Sequence, residues 1–211
     1  MEYLDFHSKL DSMHNKDYIE NFLVYNSSLV IAGVKPGVTV TINKYNDKLY
    51  ESWNDYGAKF ISSINLKFIS LRSNSTSLII LIYDELLLKN ELFSNAHRNF
   101  LINLGYPDTR YIDDYIYTLK SRYELYNCPH ELGLFLGIPF EDVKDFIDCT
   151  TKKCLLCRYW KVYNDTEKAK LIFNKYDTVK EFTIKNILAG NSSRDLALSI
   201  KNSFNTEIHY I

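Results

Sequence analysis

The 211-residue sequence predicts a single α+β domain, residues 1–211, in which a small mixed sheet is packed by several helices. Three observations lead there. Strand signals come as an alternating β-branched run, VTVTI (38–42), and as two short apolar runs, LKFISL (66–71) and SLIILIY (77–83). Helical spacing of apolar residues dominates elsewhere, most plainly over 46–64 and 109–126. Only 7 Gly and 4 Pro argue against a disordered or loop-dominated chain.

The elements follow in order. Residues 2–23 carry Leu4, Phe6, Leu10, Met13, Ile19, Phe22 and Leu23 in an imperfect helical pattern. Ser27 and Ser28 stand just before a further apolar turn of helix, and GVKPG (33–37) turns the chain into the VTVTI strand. NDKLYESWNDYGAKFISSI (46–64) places Leu49, Trp53, Tyr56, Phe60 and Ile64 on one helical face. The polar loop RSNST joins LKFISL to SLIILIY, whose unbroken apolar run reads as a buried central strand. Asp84 opens the helix ELLLKNELF, AHRNFLINL gives another, and 109–126 a longer one. Pro129 precedes the short helix HELGLFLG, and Pro139 opens FEDVKDFIDC, proline being at home in a first helical turn. RYWKVY (158–163) is the last strand. Asn164 or Asp165 then caps DTEKAKLIFNKY, and two weaker helical stretches around the loop GNSSRD (190–195) finish the chain.

The net charge is −1, with acids and bases interleaved, so no basic stripe invites a nucleic-acid partner. The N-terminal segment has no apolar core of a signal peptide, and SLIILIY is too short to cross a bilayer. A cytoplasmic protein without a membrane partner is the expectation. In a reducing compartment its four cysteines are more often free, metal-bound or catalytic than disulfide-paired.

Three of those cysteines crowd into CTTKKCLLC. With Cys128 they give Cys128, Cys149, Cys154 and Cys157, four soft ligands of the kind that hold zinc or an iron–sulfur cluster. Against this stand a single CxxC, the absence of flanking glycines and the apolar Leu155 and Leu156, which suit a strand entering a core. His130, between Pro129 and Glu131, has the most structured setting of the five histidines; His7, His14, His97 and His209 lie in plainer contexts. A histidine at a helix start has its imidazolium disfavoured by the macrodipole and suits a general base, although packing the turn is its ordinary role. Ser27 and Ser28 at a helix start suit either a nucleophile favoured by backbone N–H groups or a simple cap.

Taken together, SSLVIAGVKPG, CPHELGLFLGIPFEDVKDFI and CRYWKVYNDTEKAKLIFNKY resemble domain-of-unknown-function family 3793, an uncharacterised family of anaerobic Gram-positive bacteria, in the same order over most of the chain. In that family the first motif reads Cys-Ala-Pro-Thr-Leu-Ala-Gly with a lysine two residues on. Ala32, Gly33 and Lys35 match it; Ser27 stands at the cysteine, and Ser28, Leu29 and Val30 at Ala-Pro-Thr. A cysteine at a helix start followed about a hundred residues later by a histidine is the chain order of papain-like enzymes. The resemblance therefore implies, by analogy, a papain-like arrangement. It would perform acyl transfer or amide hydrolysis on a small-molecule or peptide-like acyl substrate without a cofactor. Ser27 would stand at the nucleophile position, His130 as base, and Asn164 or Asp165 as the orienting group. Two other expectations stand beside it: a metal- or redox-binding protein built on the four cysteines, and a non-catalytic binding domain with an aromatic-rich pocket.

Overall fold

SLIILIY forms the central strand of a three-stranded sheet. In the computed structural model, which describes residues 2–148 and 151–205, the strands are β1 (Gly37–Asn43), β2 (Lys67–Ser73) and β3 (Ser77–Tyr83), in the order β1-β3-β2 and antiparallel throughout. β3 is apolar on both faces because both faces are covered. Ile80 and Ile82 enter one core with Val40 and Ile42, while Leu81 and Tyr83 enter a second with Leu71. The first core is closed by α1 (Glu2–Ser12), α2 (Asn15–Ile31), α3 (Asp47–Ser52), α4 (Ala58–Ser63), α10 (Thr166–Leu188) and α11 (Ser193–Phe204). The second is closed by α5 (Glu85–Leu92), α6 (Asn95–Asn103), α7 (Ile112–Tyr126), α8 (Leu132–Phe135) and α9 (Phe140–Asp148). Helix layers on both faces of one small sheet make a single α+β domain.

Four local departures from the sequence pattern have physical causes. Residues 2–23 break at Met13–His14 into α1 and α2. α2 then runs through the NSS segment to Ile31, so Ser27 lies deep inside a helix rather than at its start. Asn26, Ser27 and Ser28 donate side-chain hydrogens to the carbonyls of Phe22 (2.8 Å), Leu23 (2.5 Å) and Tyr25 (2.9 Å), a back-bonding that lets small polar residues sit mid-helix. The 46–64 helix contains a π-helical turn over Trp53–Gly57. There Gly57 leaves room for the Trp53 ring, which an added Cβ would meet at 2.2 Å. RYWKVY is a strand only at β5 (Lys161–Val162), paired with β4 (Leu156–Cys157) in a short hairpin. Trp160 and Val162 are buried from that hairpin, but Cys154, Leu155 and Cys157 are exposed. The CxxC therefore does not enter the core: so short a hairpin covers one face only, and the cysteines occupy the other. DTEKAKLIFNKY and the first of the two weaker stretches after it form one long helix, α10, which Asp165 caps by accepting the Lys168 amide at 2.9 Å; the second weaker stretch is α11.

The sharp turns at 33–37 and 135–137 pack on each other. A Cβ at Gly37 would stand 2.7 Å from the Phe135 carbonyl oxygen, and one at Gly137, whose φ is +69°, would stand 2.6 Å from Pro36 Cδ. This contact joins two of the three segments that carry the family resemblance. The third joins them through Asp142.

Candidate functional site

The turn after α7 is unusual. Asn127 has φ 63° and ψ −46°, and the Cys128 amide donates to the Tyr126 carbonyl at 2.7 Å. This is a γ-turn of the strained hand, which persists only where its surroundings hold it. Two anchors do so. Asn127 Oδ1 accepts from Arg72 Nη1 at 2.6 Å, with Arg72 lying just past the irregularity that interrupts the register of β2 at Leu71. Beneath the turn, buried Glu131 accepts from the Arg122 guanidinium and from the Tyr106 hydroxyl (3.2 Å), while Arg122 Nη1 reaches the Leu104 carbonyl at 2.9 Å. Burial, and then the Glu131 charge, raise the Tyr106 phenol well above its ordinary range. Tyr123, under Cys128, is pushed up to about 12 by burial, with the Cys128 charge and hydrogen bond adding to it.

Cys128, Pro129 and His130 form the ridge between two open clefts. One, of about 350 Å³, lies over Leu104, Arg122, Tyr126, Glu131 and Ile147. The other, of about 280 Å³, runs between α9 and the β4–β5 hairpin and has an apolar body of Leu132, Leu136, Ile138, Val143, Phe146 and Trp160, with Tyr159 and Lys161 at its edge. His130 lies edge-on to Phe146 with ring centroids 4.8 Å apart, and Lys161 Nζ stands 5.3 Å from the same ring on the hairpin side. An apolar trough whose lining includes an imidazole and an ammonium against one ring fits a ligand that has an apolar body and an anionic or acyl end.

Asp142 fixes the second wall. Its Oδ2 accepts the indole N–H of Trp160 at 2.8 Å. Its Oδ1 accepts the amides of Tyr163 (2.9 Å) and Asn164 (3.1 Å) and Asn164 Nδ2 (3.0 Å). A buried carboxylate with this many donors replaces its lost hydration in full. Trp160 is further wedged by Phe173 at 4.4 Å, and the hairpin tip is tied to α10 where Asp177 accepts from Arg158 and the Tyr159 hydroxyl, each at 2.8 Å.

The residues singled out from sequence fall in separate places. His130 is exposed on the ridge. Ser27 is fully buried in α2, its hydroxyl hydrogen given to Leu23, and it lines neither cleft. Asn164 spends its amide on Asp142 and Asp145 (2.9 Å) and its oxygen on Lys152 (2.9 Å), and Asp165 is the α10 cap. Neither hydrogen-bonds to His130 among the described residues. Cys128 is on the ridge, Cys154 donates its thiol to the Leu156 carbonyl at 3.1 Å, and Cys157 lies in β4. Cys149 and His209 lie outside the described residues. Among the described residues no group of three His, Cys, Asp or Glu side chains is placed to hold a metal, and no helix is long and apolar enough to cross a membrane. Sequence inspection missed Asp142, which looked like an ordinary first-turn acid of α9; Phe146, one of many aromatic residues; and Glu131, noticed only as part of the histidine motif.

Fold and site thus define a small α+β domain with an apolar-bodied cleft between a helix and a hairpin. The model of the family described as "Protein of unknown function (DUF3793)" matches residues 23–197, and the chain belongs to that family. No curated protein matches the chain, and no solved structure does.

Proposed function

We propose that this protein binds a small carboxylic acid or its acyl derivative, its apolar body lying in the α9–hairpin cleft and its polar end at Cys128, His130 and Lys161. The observation that carries the reading is the cleft's composition: six apolar side chains form the body, and His130 and Lys161 both stand against the Phe146 ring, with Cys128 two residues from His130 on the lining. The Asp142 clamp supports it, because a pre-formed wall lowers the ordering cost of binding. The test is 19F NMR of the full chain labelled with 5-fluorotryptophan and titrated with aromatic and branched aliphatic acids. The sequence has 2 Trp, so Trp53 in the core serves as the internal control. A saturable shift confined to Trp160 supports the reading; no shift from any acid, or equal shifts of both, removes it.

One observation favours a second reading, acyl transfer: Cys128 and His130 line the same two clefts. The nucleophile then passes from buried Ser27 to Cys128. The Cys128 thiolate attacks the acyl carbon, His130 takes the thiol proton and returns it to the leaving group, and water or an amine later releases the acyl group from the thioester. A p-nitrophenyl ester followed by peptide mapping tests this. A thioester at Cys128 in excess over Cys154 and Cys157, both also exposed, is expected; equal labelling, or none at Cys128, excludes it.

A further inference from the structure

Where Tyr159 and Trp160 pack on Tyr176 of α10 there lies a group of side chains that do not line the cleft. Lys35, from the turn before β1, holds its Nζ 5.6 Å from the centroid of the Tyr176 ring. Lys180, one turn further along α10, holds its Nζ 4.1 Å from the Tyr25 ring and donates to the Tyr25 carbonyl oxygen. Both side chains are half-buried. Neither ammonium has a carboxylate within ion-pair distance among the described residues, and the two repel each other. Two acids of the neighbourhood are committed elsewhere. Asp177 is held by Arg158 and Tyr159, and Glu91 lies beside His97.

Two like charges taken partly out of water without a counter-ion are costly, and the cheapest relief is for one amine to give up its proton. Ring faces stabilise a cation less than a carboxylate does, so they do not remove that drive. Lys180 is the amine that loses it: desolvation, and then the Lys35 charge, bring it down to about 7, whereas desolvation alone brings Lys35 to about 8. A neutral Lys180 still donates one N–H to Tyr25, which holds its Nζ in place and leaves the lone pair available. Lys35 remains the nearby cation.

We propose that Lys180, with Lys35 as its cationic neighbour, is a nucleophilic amine site that takes an aldehyde or ketone as an imine. The amine lone pair adds to the carbonyl carbon, and the carbonyl π pair passes to oxygen, where the Lys35 charge stabilises it. That oxygen is protonated and leaves as water, the nitrogen losing its protons as the C=N bond forms. The site is independent of the cleft reading.

The test treats the full chain with acetaldehyde and sodium cyanoborohydride at pH 7, the hydride reducing any imine to a stable secondary amine, and maps adducts by peptide mass spectrometry. Lys180 is expected to react at least about tenfold faster than exposed lysines such as Lys9 and Lys59, because an ordinary amine is almost wholly protonated at that pH. In the unaltered chain the Lys180 rate should rise to its plateau with a midpoint near pH 7. In Lys35→Met, which removes the repelling charge, that midpoint should move upward. Labelling that simply follows exposure, or a Lys180 midpoint above pH 9 in the unaltered chain, overturns the proposal.

Discussion

Asp142 and Trp160 are joined by a buried hydrogen bond of 2.8 Å from the indole nitrogen to the carboxylate, and this bond ties the β4–β5 hairpin to α9, fixing the two walls of the cleft relative to each other. The hairpin has only two paired residues on each strand, too few to hold its shape in water alone. Asp142 replaces the missing ladder by collecting the backbone amides at the end of β5.

Replacing Asp142 with Asn keeps the size but turns an N–H toward at least one donor that now meets oxygen. Stability should fall by about 1–3 kcal/mol, the range for leaving a buried donor unmet. Denaturant unfolding measures the loss, and near-UV circular dichroism should show the Trp160 signal weakened in the native baseline. An unchanged midpoint would mean that packing on Phe173 and the Asp177 tie to α10 hold the hairpin without Asp142.

Gly137 and Gly190 both have positive φ, +69° and +83°, but only Gly137 faces a neighbour within 4 Å. Alanine at 190 should therefore cost only the backbone penalty, about 1 kcal/mol. Alanine at 137 must also push Pro36 aside and should cost clearly more, about 2–4 kcal/mol. Comparing the two thermal midpoints isolates the contact between the two turns.

Removing one member of the Arg122–Glu131 pair strands the other in a largely buried place. Glu131→Gln or Arg122→Met should each destabilise by about 3 kcal/mol, and the double variant by less than the sum. Because Glu131 lies next to His130, either single variant should also loosen the 127–130 turn, read as faster amide exchange at Cys128.

The lysine pair gives the chain a pH dependence of known sign. Lys35 and Lys180 hold protons more weakly when folded, at about 8 and about 7, than at the ordinary lysine value of 10.5. Between about pH 7 and that value the unfolded chain carries more protons, so the pair's contribution to stability rises with pH and is lowest below about pH 7. Thermal midpoints of the unaltered chain should gain on those of Lys35→Met/Lys180→Met from pH 6.5 to pH 9.5. A constant difference between the two would contradict the desolvation of these amines.

Much of the fold was legible because local pattern and tertiary need agree there. VTVTI, SLIILIY and the Asp84 and Asp165 caps form what their residues favour. The misplacement of Ser27 came from reading small polar residues as a helix start, when apolar neighbours on both sides continue the helix and the hydroxyls bond backward. RYWKVY looked like a full strand because its aromatic residues favour one, yet Trp160 is held by Asp142 and Phe173 and Val162 by burial in the first core rather than by a long ladder. The site was only half legible. His130 stood out by its motif, but Asp142 acts through donors 18 to 22 residues away, and Lys35 meets Tyr176 across more than half the chain. Such pairings leave no local spacing to read.

The most direct measurement of the central claim is the 19F titration of the two tryptophans with small carboxylic acids, repeated on Phe146→Ala. The α9–hairpin cleft predicts a saturable shift at Trp160 alone, weakened at least about tenfold in affinity when the Phe146 ring between His130 and Lys161 is removed. A Trp160 signal indifferent to every acid, or binding unaffected by the loss of Phe146, would contradict it.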